Sequence, residues 1–285
     1  MIPASFEYFA PASLKEALEL LSTYKDDAKI LAGGQSLVPL MKLRLAKPTH
    51  VIDLNRIPDL NYVRADGDSI RIGALTTHTE IENSGIIKRD SSLLAEAAAT
   101  IGDVQVRNQG TIGGSLAHSD PTADLPAAIL ALDAEMKATG PDGERWIKAE
   151  DFFIGFLTSS LEPDEILTEI KVPVWRESKT AYLKAAQRSS GFAVVGVAVR
   201  LELEQNGICK NIAIGMTGVG DKPYRAGEVE KLLKGKKLEL GLLEQAAAKV
   251  TEGLDPLEDI NGSKEYRSHL AQVYTVRAIQ RALAS

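Results

Sequence analysis

The chain has 285 residues, of which 44% are hydrophobic and 25% charged, as in globular domains rather than in disordered or fibrous chains. The 39 acidic and 33 basic residues give a net charge of -6, and the absence of basic clusters argues against a nucleic-acid partner. The single cysteine, Cys209, excludes an intramolecular disulfide and a cysteine-ligated iron–sulfur cluster in this chain.

The longest apolar stretches are far shorter than the ~20 residues that cross a bilayer. The N-terminus also lacks the basic and apolar regions of a secretory signal. We therefore expect a cytoplasmic protein of about two domains whose partners are small molecules or other proteins.

Hydrophobic periodicity and turn residues predict an α+β chain. A capping box at Ser13 and Glu16 opens the first helix. The predicted strands are 28–32, 50–54, 62–65, 69–72, 135–139, 145–148, 165–172, 181–187, 192–204 and 208–216. The predicted helices are 37–45 with Ser36 as N-cap, 92–101, 125–132 with Asp124 as N-cap, 227–233, 240–252 and 264–284.

Two Gly-Gly segments are candidates for chemistry. Gly33-Gly34 lies between a strand and a predicted helix, an arrangement that presents backbone N–H groups to an anion without an obstructing Cβ. The alternative is a tight turn that only needs the freedom of glycine. The second segment, 111–115, begins a polar stretch that contains His118 and Asp124. This stretch can hydrogen-bond a pyrophosphate or sugar hydroxyls. The alternative is a polar loop closed by a capping aspartate.

Other motifs favour plainer interpretations. The stretch 215–220 is not a G-x-G-x-x-G loop, so a dinucleotide site of the Rossmann type is disfavoured. The four histidines lack metal-ligand spacing. Cys209 is predicted to be a small buried hydrophobe, and Trp146 and Trp175 fit either packing or an interface.

The two glycine segments resemble those of a known family, the flavin-binding medium subunits of the molybdenum hydroxylases, which include carbon monoxide dehydrogenase, aldehyde oxidoreductases and the central domain of xanthine dehydrogenase. AGGQS at 32–36 is similar to the family element AGG(H/Q/T)S, and TIGGS at 111–115 is similar to TIGG(N/S). Similar stretches continue at 38–44, 51–54, 72–74, 107–110, 123–126, 165–167, 218–225 and 266–271. The resemblance covers essentially the whole chain.

The resemblance implies a fold and a cofactor. A two-subdomain FAD-binding domain of the PCMH type would occupy residues 1–175, split near residue 57, and a C-terminal domain of antiparallel sheet plus helices would occupy 176–285. FAD would be bound without a covalent link, its pyrophosphate between the two glycine segments. Asp124 matches an acidic contact, His118 a polar position, Leu167 an apolar contact and Phe192 a residue against one face of the isoalloxazine.

The full set of cofactor-binding residues that the resemblance implies is Ile30, Leu31, Ala32, Gly33, Gly34, Gln35, Ser36, Leu37, Thr111, Ile112, Gly113, Gly114, Ser115, His118, Asp124, Leu167 and Phe192. No catalytic residue and no metal ligand is implied for this chain.

The resemblance also implies partners. A large molybdopterin subunit would hydroxylate the substrate, and a small subunit with two [2Fe–2S] clusters would pass electrons to this FAD, in a heterotrimer or a dimer of heterotrimers. The chain would be the electron exit and would not turn over substrate alone. An aldehyde or CO is the favoured substrate, an N-heterocycle remains open, and the acceptor is unspecified. Alternatives are a stand-alone FAD oxidase or reductase of the same superfamily and a non-catalytic FAD-binding scaffold.

Overall fold

The computed structural model describes residues 2–188 and 191–285. Residues up to the mid-fifties form a three-stranded parallel sheet with the strand order β1-β3-β2. Its elements are β1 (Glu7–Phe9), α1 (Leu14–Tyr24), β2 (Ala28–Leu31), α2 (Leu37–Lys42) and β3 (His50–Asp53). Helix α1 buries Ala17 and Leu21 in a core that also contains Ile52.

Two local predictions in this unit need correction. The Ser13 hydroxyl accepts the N–H of Glu16, but the Glu16 carboxylate accepts the N–H of Ala12 rather than that of Ser13, so the capping box is only half formed. Helix α2 ends at Lys42 instead of residue 45, because Arg44 adopts a left-handed conformation with φ +59° that leaves the helical path. The Ser36 side chain makes no capping hydrogen bond.

The middle unit is a five-stranded antiparallel sheet with the order β4-β5-β10-β6-β7, covered by helices. Its strands are β4 (Val63–Asp66), β5 (Ser69–Gly73), β6 (Glu135–Gly140), β7 (Gly143–Lys148) and β10 (Ile166–Pro173), with a small hairpin of β8 (Phe153–Gly155) and β9 (Thr158–Ser159). Its helices are α3 (His78–Asn83), α4 (Gly85–Asp90), α5 (Ser92–Ala99), α6 (Val104–Gln109), α7 (Ile112–His118), α8 (Asp124–Ala131) and α9 (Ala149–Phe152).

The C-terminal unit is a four-stranded antiparallel sheet with the order β11-β12-β13-β14, packed against helices. Its elements are β11 (Lys179–Ala185), β12 (Val195–Leu203), β13 (Cys209–Thr217), β14 (Tyr224–Arg225), α10 (Gly227–Leu233), α11 (Leu240–Ala247) and α12 (Lys264–Ala284). Cys209 is buried in this core, and burial raises the pKa of its thiol to about 11. The thiol is therefore a protonated packing group, as the sequence predicts.

Helix α8 joins the middle unit to the C-terminal unit. All eight of its residues are buried, which explains why its sequence is apolar on every face. A Cβ at Gly215 on β13 would lie 1.9 Å from the carbonyl oxygen of Ala127, so the glycine lets the strand touch the helix backbone. Arg200 on β12 donates Nε–H to the carbonyl oxygen of Ala131 at 2.8 Å.

The two tryptophans have different environments. Trp175 donates its indole N–H to the carbonyl oxygen of Leu132, and the Arg200 guanidinium lies over its ring at 3.6 Å from the centroid, so this residue packs. Trp146 is 40% exposed on the sheet surface, with Arg71 and Lys137 near its ring. None of the helices in the described part of the chain is long and apolar enough to cross a membrane.

Candidate functional site

A cavity of about 690 Å³ lies where the three units meet. Its walls come from the segment after β2, from the turn before α3, from α7, from the start of β10 and from Gly191 and Phe192. The volume falls within the range typical of small-molecule and cofactor sites. Every residue that the sequence analysis proposed for the cofactor lines this cavity except Ile112.

The segment after β2 carries free backbone amides. The N–H groups of residues 33–36 have no acceptor among the described residues. Gly34 has φ +70°, a conformation that glycine adopts without strain. The Asn55 side chain donates to the carbonyl oxygen of Ala32 at 3.0 Å and so fixes the start of the segment. These amides point to an anion site, since unpaired N–H groups in a concave wall need an acceptor.

Gly33 holds the two glycine segments in contact. A Cβ at this position would lie 2.0 Å from the carbonyl oxygen of Gln109 and 2.8 Å from Gly110 Cα. The backbone of the first segment therefore passes directly against residues 109–110, just before the second segment. Gly33 is therefore required because its neighbour leaves no room for a Cβ, whereas Gly34 is required because of its positive φ.

The second segment is the start of a helix, so the alternative interpretation of this segment as a polar loop is wrong. Thr111 is the N-cap of α7, and its hydroxyl accepts the N–H of Gly114 at 3.1 Å. The N–H of Ile112 donates to Thr76, that of Gly113 to Ala74 and that of Ser115 to Thr111. Packing against residues 74–76 overrides the low helix propensity of two consecutive glycines.

The second segment can therefore contribute hydroxyls, but its amides are occupied. The Thr111 and Ser115 hydroxyl protons have no acceptor among the described residues, and both residues line the cavity. Ile112 is fully buried in the core of the middle unit, so its assignment to the cofactor site is not supported by its side-chain position. Gly113 lies against Ala74, where a Cβ would come within 2.5 Å of that side chain.

Asp124 lies at the first turn of α8 and is not its N-cap, because Ala123 occupies that position. Its carboxylate accepts from the Tyr182 hydroxyl at 2.6 Å and from the Lys184 ammonium at 2.8 Å, both on β11. Burial raises the pKa of the Asp124 carboxyl, and the Lys184 ammonium opposes that rise. The residue lines the cavity while it links the middle unit to the C-terminal unit.

The remaining predicted residues lie at different depths. Leu167 is 5% exposed at the start of β10 and forms part of an apolar wall. Phe192 is 64% exposed at the rim and lies outside β12, which begins at Val195 and not at residue 192 as predicted. His118 ends α7 beside Ser119, whose left-handed conformation terminates the helix.

The cavity residues that the sequence analysis missed include three groups. One is the turn with Ala74, Leu75 and His78, and another is the stretch from residue 157 to the start of β10 at Ile166. The third is Gly110, which lies against the His78 ring. Only the first carried a signal, the capping box of Thr77 and Glu80 that marks the start of α3.

Comparison with known proteins identifies two domains in this chain. A family model described as "FAD binding domain in molybdopterin dehydrogenase" matches residues 4–175. A second, described as "CO dehydrogenase flavoprotein C-terminal domain", matches residues 180–282. Together they account for most of the chain, so the protein has an FAD-binding domain and FAD is its cofactor.

Curated relatives match along their whole length. The glyceraldehyde dehydrogenase medium chain of Sulfolobus acidocaldarius is 41% identical over 280 residues, which cover 98% of this chain and 99% of that one. The carbon monoxide dehydrogenase medium chain of Hydrogenophaga pseudoflava is 40% identical over 285 residues, covering 100% and 99%.

A solved structure of carbon monoxide dehydrogenase from Hydrogenophaga pseudoflava that lacks the Mo-pyranopterin moiety superposes with a TM-score of 0.97 at 41% identity, covering 100% of this chain and 99% of that one. The structure of quinoline 2-oxidoreductase from Pseudomonas putida 86 superposes with a TM-score of 0.94 at 33% identity, covering 100% of this chain and 99% of that one. The expected α+β fold, with an FAD-binding part followed by antiparallel sheet and helices, is thereby confirmed. The chain belongs to the family of FAD-binding medium subunits of carbon monoxide dehydrogenase-type molybdenum hydroxylases.

Proposed function

We propose that this chain is the electron exit of a cytoplasmic complex with a large molybdopterin subunit and a small [2Fe–2S] subunit, in a heterotrimer or a dimer of heterotrimers. When bound, FAD accepts electrons from the clusters and passes them to an external acceptor. The observation that supports this function best is that the free amides of 33–36 and the hydroxyls of Thr111 and Ser115 line the same cavity. Amides and hydroxyls together are donors suited to a pyrophosphate.

The chain's own residues bind and orient the cofactor. In this proposal the amides of 33–36 donate to the pyrophosphate, and Gly33 brings them against residues 109–110. The hydroxyls of Thr111 and Ser115 donate from the adjoining start of α7. Leu167 would supply an apolar contact, and Phe192, which is exposed at the rim, would contact the isoalloxazine.

The acidic contact at Asp124 is held from the C-terminal unit. Its two carboxylate oxygens already accept from Tyr182 and Lys184, and each oxygen retains a lone pair for the cofactor. We assign residues 1–175, split near residue 57, to FAD binding and 176–285 to the C-terminal domain. The lengths matched by the two family models support this division.

An aldehyde or CO is the proposed substrate class of the whole complex. Support comes from the names of relatives at about 40% identity, a glyceraldehyde dehydrogenase medium chain and a carbon monoxide dehydrogenase medium chain. The substrate pocket would belong to the large subunit. No residue of the cavity described here is therefore assigned to substrate chemistry.

Flavin bleaching under anaerobic conditions tests the proposal. The isolated chain, loaded with FAD, is mixed with an aldehyde or with CO, and the same mixture is repeated with the partner subunits present. We expect bleaching only with the partners. Bleaching by the isolated chain would place a substrate site on it and favour the stand-alone oxidase. A chain that binds FAD but captures neither partner would contradict the electron-exit role.

A further inference from the structure

His78 is a cavity residue to which neither the fold nor the proposed cofactor contacts give a role. It is the first residue of α3, and its backbone N–H donates to the carbonyl oxygen of Gly110 at 2.9 Å. The capping box of Thr77 and Glu80 fixes the turn that precedes it. The residue is 4% exposed, so its imidazole is held in the wall.

The two ring nitrogens have different surroundings. Nδ1 is sealed from solvent and has no partner among the described residues. Nε2 also has no partner among them, but it is not sealed, and His78 lines the cavity described above. Nε2 and Cδ2 both lie 2.8 Å from the place that a Cβ of Gly110 would occupy. The bare backbone at Gly110 therefore makes room for the ring.

The ring stands close to where the two glycine segments meet. Gly110 contacts the imidazole on one side, and its Cα lies 2.8 Å from the place of a Gly33 Cβ on the other. The free amides of 33–36 begin at this contact. The imidazole and the start of the free amides therefore both contact Gly110, from different sides.

The imidazole is neutral near pH 7. Burial, together with the nearby Arg107 guanidinium, lowers its pKa to about 4. A neutral imidazole carries one N–H, and the nitrogen that can gain an acceptor is the one at the cavity. An anionic acceptor there selects the tautomer with the proton on Nε2.

We propose that His78 is a cofactor-binding residue whose Nε2–H donates to a pyrophosphate oxygen of FAD. This inference rests on the proposed placement of the pyrophosphate at residues 33–36. It adds a side-chain donor to a site that otherwise uses backbone amides and hydroxyls.

Two variants of the full-length chain test the proposal by titration of the apo-protein with FAD. H78L keeps a similar volume but has no donor, whereas H78Q places an amide N–H near the position of Nε2. We expect H78L to bind FAD about ten- to a hundredfold more weakly, the loss typical of a hydrogen bond to a charged group. H78Q should bind close to the parent value.

Stability separates this role from packing. H78L removes the sealed, unpaired Nδ1, so its apo-protein should melt at or above the temperature of the parent. Weak FAD binding by a variant of undiminished stability therefore supports a direct contact. Parent-like binding by H78L, or H78Q binding as weakly as H78L, would overturn the proposal while leaving the FAD function intact.

A spectroscopic measurement does not depend on the variants being stable. In the parent chain labelled with ¹⁵N-histidine, the Nε2 signal of His78, assigned by its absence in H78Q, should shift on addition of FAD. An unchanged signal would refute the contact. Failure of the parent chain to bind FAD at all would overturn the proposed function together with this inference.

Discussion

Replacing Gly33 by alanine tests whether the two glycine segments must touch. The new Cβ would lie 2.0 Å from the Gln109 carbonyl oxygen, a backbone atom that cannot rotate away. The segments must separate by about 1.4 Å to restore an ordinary contact of 3.4 Å. Overpacking of this kind costs about 1–3 kcal/mol of folding free energy. We therefore expect a lower melting temperature for G33A.

The same displacement should weaken FAD binding. The amides of 33–36 would move relative to Thr111 and Ser115, and a hydrogen bond to a charged group contributes about 1.5–3 kcal/mol. Loss of one such bond corresponds to about a ten- to hundredfold higher Kd, measured by titrating the apo-protein with FAD and following flavin fluorescence.

Gly241→Ala provides the matched control. Gly241 lies exposed in α11, where a Cβ would meet nothing within 4 Å. Alanine there should leave the Kd for FAD unchanged and stabilise the helix by up to about 1 kcal/mol. If G33A bound FAD and melted like the parent, the close contact between the glycine segments, and the reasoning built on it, would be refuted.

Three further predictions concern the cavity walls. Gly114→Val should destabilise the chain by about 1–3 kcal/mol and weaken FAD binding, because its Cβ would lie 2.8 Å from the Thr111 hydroxyl that caps α7. Denaturant unfolding measures the stability, and titration with FAD measures the binding. Parent values in both experiments would contradict the capped-helix geometry. The His78 pKa of about 4 lies below the ordinary 6.5, so the unfolded chain takes up this proton first as pH falls. Stability that is complete above pH 6.5 should therefore decrease by about 3 kcal/mol toward pH 4. Urea titrations at several pH values should show that H78Q loses about 3 kcal/mol less stability than the parent between pH 6.5 and pH 4. The same pH dependence in H78Q and the parent would contradict the lowered pKa of His78. Asp124→Ala should lower the free energy of unfolding by about 3–5 kcal/mol, because it leaves the Lys184 ammonium buried without its partner. A smaller loss of stability than that caused by Tyr182→Phe would contradict the importance of the ion pair.

The sequence predicted best the elements whose pattern is local. Helices at 227–233 and 264–284 have the predicted bounds, since each follows a helical period, and Ser263 caps the start of the second. The hairpin across Asn206-Gly207 also lies where the turn residues predict it. In these stretches local propensity and tertiary packing agree.

The elements around the cavity were harder to predict because distant residues determine them. Helix α7 contains two glycines and reads as a loop, yet its first N–H groups donate to Thr76 and Ala74. Asp124 resembles an N-cap, but its partners on β11 are about 60 residues away in the sequence. The short helices α3 and α6 are too brief for periodicity to reveal, although the caps Thr77 and Asp103 mark their starts.

The C-terminal unit supports one wall of the candidate cofactor cavity. Tyr182 and Lys184 on β11 hold the carboxylate of Asp124, and the Lys184 ammonium also donates to the carbonyl oxygen of Thr100 after α5. A buried carboxylate needs such partners, because an unpaired charge in the interior is costly. The cavity wall at Asp124 therefore keeps its shape only when β11 is in place. For this reason we expect FAD binding to depend on both parts of the chain matched by the family models, although the glycine segments lie only in the first.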